Sequence, residues 1–354
     1  TLWHTLSLHD ALPICIIASQ WALYKAERTL LEVGKKTGTR IHYFHGRGGT
    51  ISRGAGPTQW FVKTLPHATI NGFMRLTEQG ETIHQKYANL ANATYNLELL
   101  TACTVGSTAL HNRFSPSPDP FDEIMEFLAQ VSIDHYMQLI NHKEFIAFFS
   151  QSTPIDAIEA SKIGSRPARR TGKRSWKDLR AIPWVFSWGQ ARFNLTSWYG
   201  VGEALEQLSI QAPAQFQQLV EKTQEDTLIR YILSNVDTSL AATDETIMAR
   251  YADLVESPTV REEIMSMILN ELEKTRRLLN TVFIHPFHER RTHHYVSNIL
   301  RSEALTILHN KQIDLLKQWR AMGSRTNPER NQDTVLSQLL LTINGIASAL
   351  RNTG

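Results

Sequence analysis

Two arginine-bearing segments opened by glycine hold the residues best suited to chemistry. In His45-Gly46-Arg47-Gly48-Gly49-Thr50-Ile51-Ser52-Arg53-Gly54-Ala55-Gly56-Pro57, five glycines fall within twelve residues. Residues without Cβ let the backbone approach an anion and turn several N–H groups towards it. Arg47 and Arg53 add planar guanidinium forks that match a phosphate or a carboxylate. No Gly-Lys-Ser/Thr follows, so this is not a nucleotide P-loop. A flexible loop with two solvated arginines is the plain alternative. The second segment runs Gly164-Ser165-Arg166-Pro167-Ala168-Arg169-Arg170, with Lys173 and Arg174 beyond. It puts five cations in nine residues. From composition alone it is an anion site or a basic surface patch. No aromatic side chain interleaves it, which argues against stacking on single-stranded nucleic acid.

Weaker candidates follow. His285, His288, His293 and His294 lack a closing cysteine or carboxylate at a metal-ligand spacing and suit a polar connection between helices. Trp184 and Trp188, within Leu179 to Trp188, read as core packing. Arg351-Asn352-Thr353-Gly354 is a polar tail that either frays or docks.

The elements that must position these residues are mostly helical. Ile17, Trp21, Tyr24, Arg28 and Leu31 predict an amphipathic helix over Ile16 to Val33, with Gly34 as its stop and Lys25, Glu27 and Arg28 in solvent. Arg40 to Phe44 and Met74 to Thr77 read as short strands, the second ended by Glu78-Gln79-Gly80. The unbroken apolar run Ile182 to Trp188 fits a strand buried on both faces. From Ala204 the pattern is helical. Ile264, Ile268 and Leu272 share one face, and Val335, Leu336, Leu339, Leu340, Ile343 and Leu350 form a last apolar stripe. The fold class is therefore mostly α with an α/β core. Short strands that each run into a polar or glycine-rich loop are what part of a (β/α)8 TIM-type barrel with many additional helices would show, and the resemblance given below implies its C-terminal portion.

Bulk properties narrow the class. The chain has 354 residues, 42% hydrophobic and 20% charged, and a net charge of +3. It is globular, and its charge is too small to argue for nucleic acid. Two cysteines, Cys15 and Cys103, form neither a metal motif nor a disulfide framework, so a reducing, cytoplasmic setting is expected. No run of about 18 apolar residues stands out, and no membrane partner is expected. The chain opens on Thr1 without a signal-peptide pattern, as if inside a longer reading frame.

Together the motifs resemble phosphoenolpyruvate carboxylase. The matching stretches are Phe44 to Pro57, Arg75 to Glu81, Gly164 to Arg170, Leu179 to Trp188 with Gln190 and Arg192, and Asn352-Thr353-Gly354. They follow the family's order from about Cys15 to the last residue. Thr1 to Ile14 does not match and reads as foreign. Last barrel strands are expected within about 40–200 and a helical region within about 204–354.

The resemblance implies condensation of phosphoenolpyruvate with bicarbonate to oxaloacetate and phosphate, feeding the tricarboxylic acid cycle, with Mg2+ or Mn2+. Bicarbonate attacks the phosphoryl group, giving carboxyphosphate and an enolate, and carbon dioxide then joins the enolate. All these species are anionic, so positioned guanidiniums and a metal suit them. It further implies that Arg47 and Arg166 hold the phosphate, with Gln79 nearby. Arg53 would stabilise carboxyphosphate, and His45 would belong to the same catalytic site. An aspartate or malate inhibitor would take Arg53, Arg301 and Asn352, but the family's lysine falls on Asn235. The family's catalytic His and one metal-binding Glu lie upstream. The second metal carboxylate should precede Cys15, where Asp10 is out of register, so no metal ligand is expected in matching register. The Ser52-Arg53-Gly54-Ala55-Gly56 run also departs from the family's Gly-Arg-Gly-Gly loop. The family is a homotetramer. These 354 residues alone are expected to be inactive and to aggregate, because an incomplete barrel leaves sheet edges uncovered. A stand-alone anion-binding protein and a different phosphate-handling enzyme are the other readings.

Overall fold

The computed structural model describes residues 15–51, 54–113, 121–161, 178–225, 228–323 and 329–350. Arg53, Arg166, Arg169, Arg170, Lys173, Arg174 and Asn352, and Asp10 with the rest of 1–14, lie outside the described residues.

Helices dominate. They are α1 (Ile16–Thr37), α2 (Thr58–Lys63), α3 (Gly80–Tyr87), α4 (Leu90–Arg113), α5 (Phe121–Ile140), α6 (Phe145–Ser152), α7 (Ile155–Ala160) and α8 (Ala181–Gln190). After a 3-10 turn come α9 (Val201–Gln211), α10 (Pro213–Lys222), α11 (Leu228–Ala241), α12 (Glu245–Ala252), α13 (Pro258–Val282), α14 (Phe287–Arg290), α15 (Thr292–Gly323) and α16 (Glu329–Leu350). Among the described residues two strands pair in parallel, β1 (Phe44–Gly46) and β2 (Arg75–Thr77), with His45 opposite Leu76. The Arg75 guanidinium lies 4.9 Å from the Phe44 ring. Parallel neighbours need a crossover, and α2 lies within it. The first strand sits two to four residues later than the sequence suggested; the second falls within its expected span.

Ile182 to Trp188 is not a strand. It is helical, within α8, and Pro183 to Gln190 are all buried. A helix buried on every side loses its 3.6-residue signature, so a short apolar run cannot be told from a buried strand by pattern. Pro183 lies in the first turn, where its missing N–H leaves no bond unmade. Ser187 Oγ donates to the Pro183 carbonyl at 2.6 Å. Trp184 and Trp188 do pack as core. Their rings meet edge to face at 5.8 Å, and Phe149 lies 4.7 Å from the first and 4.9 Å from the second.

Helix α1 also runs past its expected stop. Gly38, in the left-handed region at φ 64°, ends it with its N–H on the Gly34 and Lys35 carbonyls. Gly34 lies inside the helix because the chain folds back on it: a Cβ there would come within 2.7 Å of the Thr39 carbonyl oxygen. Lys25 and Arg28 do face solvent, paired at 2.6 Å with Glu126 and Asp122 of α5. Glu27 does not; it is buried.

The helical body is built on α9, packed against α5 and α13. Ile264, Ile268 and Leu272 of α13 are buried as their spacing predicts. The first turn of α9 receives side chains from α13. Glu271 Oε1 accepts from the N–H groups of Gly200 (3.0 Å) and Glu203 (3.1 Å), and Thr275 Oγ1 from that of Gly202 (3.1 Å). A helix start has unpaired N–H donors, and a carboxylate there also meets the positive end of the dipole. A Cβ on Gly202 would sit 2.7 Å from the Thr275 nitrogen, so glycine sets how closely the helices approach. Helices α15 and α16 form a long hairpin whose apolar stripe buries Val335, Leu339 and Ile343. Gln332–Leu350 has the length and mean hydropathy (1.2) of a membrane span by composition, yet this stripe packs against α15 and α8.

Candidate functional site

β1 and β2 deliver His45, Arg47 and Gln79 to one place. All three line a cavity of about 690 Å³ together with Glu27, Tyr43, Thr77 and Gly54. Arg47 follows the last residue of β1, and its N–H continues the ladder to the Thr77 carbonyl at 3.3 Å. Gln79 lies two residues beyond β2, as the N-cap of α3.

Arg47 is buried and holds the glycine loop. Its Nε donates to the Gly54 carbonyl (2.8 Å), Nη2 to the Gly56 carbonyl (2.7 Å) and Nη1 to Thr58 Oγ1 (2.6 Å). Three of the five guanidinium N–H donors are thus used by the loop itself. The guanidinium also lies 5.3 Å from the Phe61 ring and 3.9 Å from Glu78 Oε1. Glu78 in turn is ion-paired with Lys86. The loop needs glycine at Gly54 (φ 87°) and Gly56 (φ 125°). A Cβ on Gly56 would also sit 3.2 Å from Asn235 Oδ1.

His45 faces Glu27, with Nδ1 3.4 Å from Oε1 and both side chains buried. Burial, and then the Arg47 charge, depress the imidazole to about 4. Burial raises the Glu27 carboxyl to about 8. At neutral pH the pair is therefore a neutral imidazole beside a carboxylic acid, since removing either charge from water costs more than their attraction returns. Tyr43 donates to the Glu27 carbonyl at 2.7 Å, and burial pushes its phenol up to about 12. Glu27 is the one carboxylate among the described residues lining this cavity. A hard divalent cation needs several ionised oxygens, so these lining residues do not fit one.

Of the inhibitor residues that the resemblance implies, Arg301 alone lies among the described residues. Arg301 Nη1 donates to the Ala349 carbonyl at 3.1 Å, between α15 and α16. The cations bonded to α11, which carries Asn235, are instead Arg290 and Arg291. Arg290 clamps Asp237 at 2.7 and 3.0 Å, and Arg291 reaches Thr238 Oγ1 at 2.8 Å. Both line a second pocket of about 250 Å³ with Lys63, Arg230 and His285.

Sequence reasoning missed Glu27, placing it in solvent. Gln20, Glu27 and Gly34 recur every seven residues and all three are buried on α1, but none is apolar, so the hydrophobic pattern does not mark this face. It also missed a cluster of His135, Glu203 and Glu271, whose members lie on three helices and carry no local pattern.

The sequence profile of the phosphoenolpyruvate carboxylase family matches residues 14–354. The phosphoenolpyruvate carboxylase of Nocardia farcinica (strain IFM 10152) is 38% identical over 343 residues, covering 96% of this chain and 36% of the relative. That of Bradyrhizobium diazoefficiens is 38% identical over 347 residues, with 96% and 36% covered. That of Nostoc sp. (strain PCC 7120) is 36% identical over 357 residues, with 96% and 34% covered. The chain spans about a third of the length of these relatives. It belongs to the phosphoenolpyruvate carboxylase family.

Proposed function

We propose that this chain supplies the phosphate-holding part of a phosphoenolpyruvate carboxylase. The observation that carries the reading is the meeting of His45, Arg47 and Gln79 beside one cavity, at the C-terminal ends of two parallel strands. That is where (β/α)8 barrels bind substrate, and β1 and β2 are read as neighbouring strands of such a barrel. Strands within 40–200 and helices within 204–354 would divide the chain accordingly.

In the reaction, a bicarbonate oxygen attacks phosphorus and the phosphorus–oxygen bond to the enol breaks. The enolate then takes carbon dioxide at its terminal carbon after carboxyphosphate releases phosphate. Arg47 has two guanidinium N–H donors beyond those the loop uses, and these would meet the phosphoryl oxygens. Arg166 would add a second fork. Arg53 would hold carboxyphosphate and help exclude water. With Glu27 protonated and donating to Nδ1, His45 would offer its Nε2–H to a bound anion. Mg2+ or Mn2+ would polarise the phosphoryl oxygens when bound. The described lining residues do not form its site. The homotetramer, the cytoplasmic setting and inhibition through Arg53, Arg301 and Asn352 belong to the same proposal.

The test is a thermal-shift panel with phosphoenolpyruvate, glucose 6-phosphate and ATP, with turnover assayed in parallel. Phosphoenolpyruvate should stabilise the chain more than the others. No oxaloacetate should form from phosphoenolpyruvate, bicarbonate and Mg2+, with the wild type or with Arg53→Ala. Turnover of another phosphorylated compound would refute the reading in favour of a different enzyme.

A further inference from the structure

We propose that His135, Glu203 and Glu271 form a site for one first-row divalent metal ion of the zinc type. Their ligand atoms all lie within 4.8 Å of one another. They come from α5, α9 and α13, so the packed helical body itself brings them together. None of the three lines the cavity around His45.

Glu271 is the decisive residue. It is 2% exposed, and the N–H groups of Gly200 and Glu203 fix its Oε1 at 3.0 and 3.1 Å. Its Oε2 is buried, accepts no hydrogen bond, and faces His135 Nε2 at 3.5 Å. A buried carboxylate oxygen left without a donor is costly. Two ligands about 2.0–2.1 Å from a tetrahedral ion stand about 3.3 Å apart, close to that separation. The His135 ring is held in place by Tyr199, stacked at 5.2 Å with 13° between the planes. His135 and Glu203 are each partly exposed, leaving a solvent route to the ion.

The donor set selects the metal. One imidazole and two carboxylates suit Zn2+, Co2+ or Mn2+ more than Mg2+, which prefers an all-oxygen octahedron. Lys274 is the competitor. Its ammonium is bound to Glu203 Oε2 and lies 2.8 Å from Glu206 Oε2. An ion on Glu203 would leave Lys274 its bond to Glu206, so binding does not strand a charge.

The test uses the 354-residue chain, stripped with chelator and equilibrated with Zn2+, with bound metal measured directly. Co2+ serves as the optical probe, and far-ultraviolet circular dichroism confirms folding. One Zn2+ per chain is expected, with Co2+ giving visible bands of a four- or five-coordinate site. His135→Ala should weaken binding at least about a hundredfold, more than loss of a supporting hydrogen bond does. A His285→Ala, His288→Ala double variant should bind as the wild type does. Lys274→Met should tighten Zn2+ by about tenfold, because it removes a competing cation from a shared carboxylate. This arm stands even if His135→Ala misfolds. The proposal is overturned if wild type binds no Zn2+ at micromolar concentration, or if stoichiometry follows His285 and His288. It is equally overturned if Lys274→Met leaves affinity unchanged.

Discussion

Replacing Glu27 with Gln should remove a specific pH dependence of stability. In the folded chain the Glu27 carboxyl holds its proton up to about pH 8, against an ordinary value of 4.5. Between those values the folded state binds a proton that the unfolded state has released, so stability falls as pH rises. His45 acts in the opposite sense: its imidazole is depressed from 6.5 to about 4, so its contribution rises with pH across that window. From 4.5 to 6.5 the two offset each other. From 6.5 to 8 only Glu27 of this pair acts, while the buried Glu271 carboxyl, raised to about 7, adds a loss of the same sign at the start of the interval that Glu27→Gln leaves in place. That interval spans one and a half tenfold changes in proton concentration at about 1.36 kcal/mol each, so the Glu27 contribution should fall by about 2 kcal/mol. For a chain of this length the loss is about 3 °C in melting temperature. The assay is thermal and urea unfolding at pH 6.5 and 8 for wild type and Glu27→Gln. The Gln variant, nearly isosteric with the protonated acid, should lose the Glu27 contribution while retaining the wild-type fold. A wild type that is flat over this interval, or a Gln variant with the same loss, would refute the neutral pair. So would an imidazolium signal for His45 at pH 6.5 by nuclear magnetic resonance.

Further outcomes follow from the same contacts. Gly56→Ala should destabilise by about 1–3 kcal/mol, from its positive φ and the Asn235 contact, as read by urea denaturation. Trp188→Ala should cost about 3–5 kcal/mol by opening a cavity among Phe145, Phe149, Trp184 and Phe193, measured the same way. Helix α4 exposes Leu90, Tyr95, Leu97, Val105 and Leu110, so the isolated chain should self-associate on size exclusion. A sharp monomer peak would contradict this, and Leu97→Lys with Val105→Lys should reduce the association.

What could be read in the sequence depended on how local the signal was. The glycine loop and the apolar stripes of α13 and α16 declare themselves in short windows, because turn chemistry and helical periodicity are local. The α8 segment reads as a strand in sequence because burial on all sides erases periodicity. Gly34 reads as a stop because only the fold-back of Thr39 distinguishes it from Gly38. Glu27 reads as solvent-facing by its charge, because the buried face it shares with Gln20 and Gly34 carries no apolar residue at those positions. His135, Glu203 and Glu271 could not be grouped from sequence, since 68 residues separate two of them and only the packing of α5, α9 and α13 unites them.

The most direct test of the central claim is calorimetric titration of phosphoenolpyruvate into the folded chain, with wild type and Arg47→Met compared. Arg47 holds the loop and, on the proposed reading, would offer its remaining donors to the phosphate, so saturable binding that the Met variant loses is expected. Binding that survives Arg47→Met, or a wild type that binds no phosphoenolpyruvate, would contradict the placement of the substrate phosphate beside His45 and Arg47.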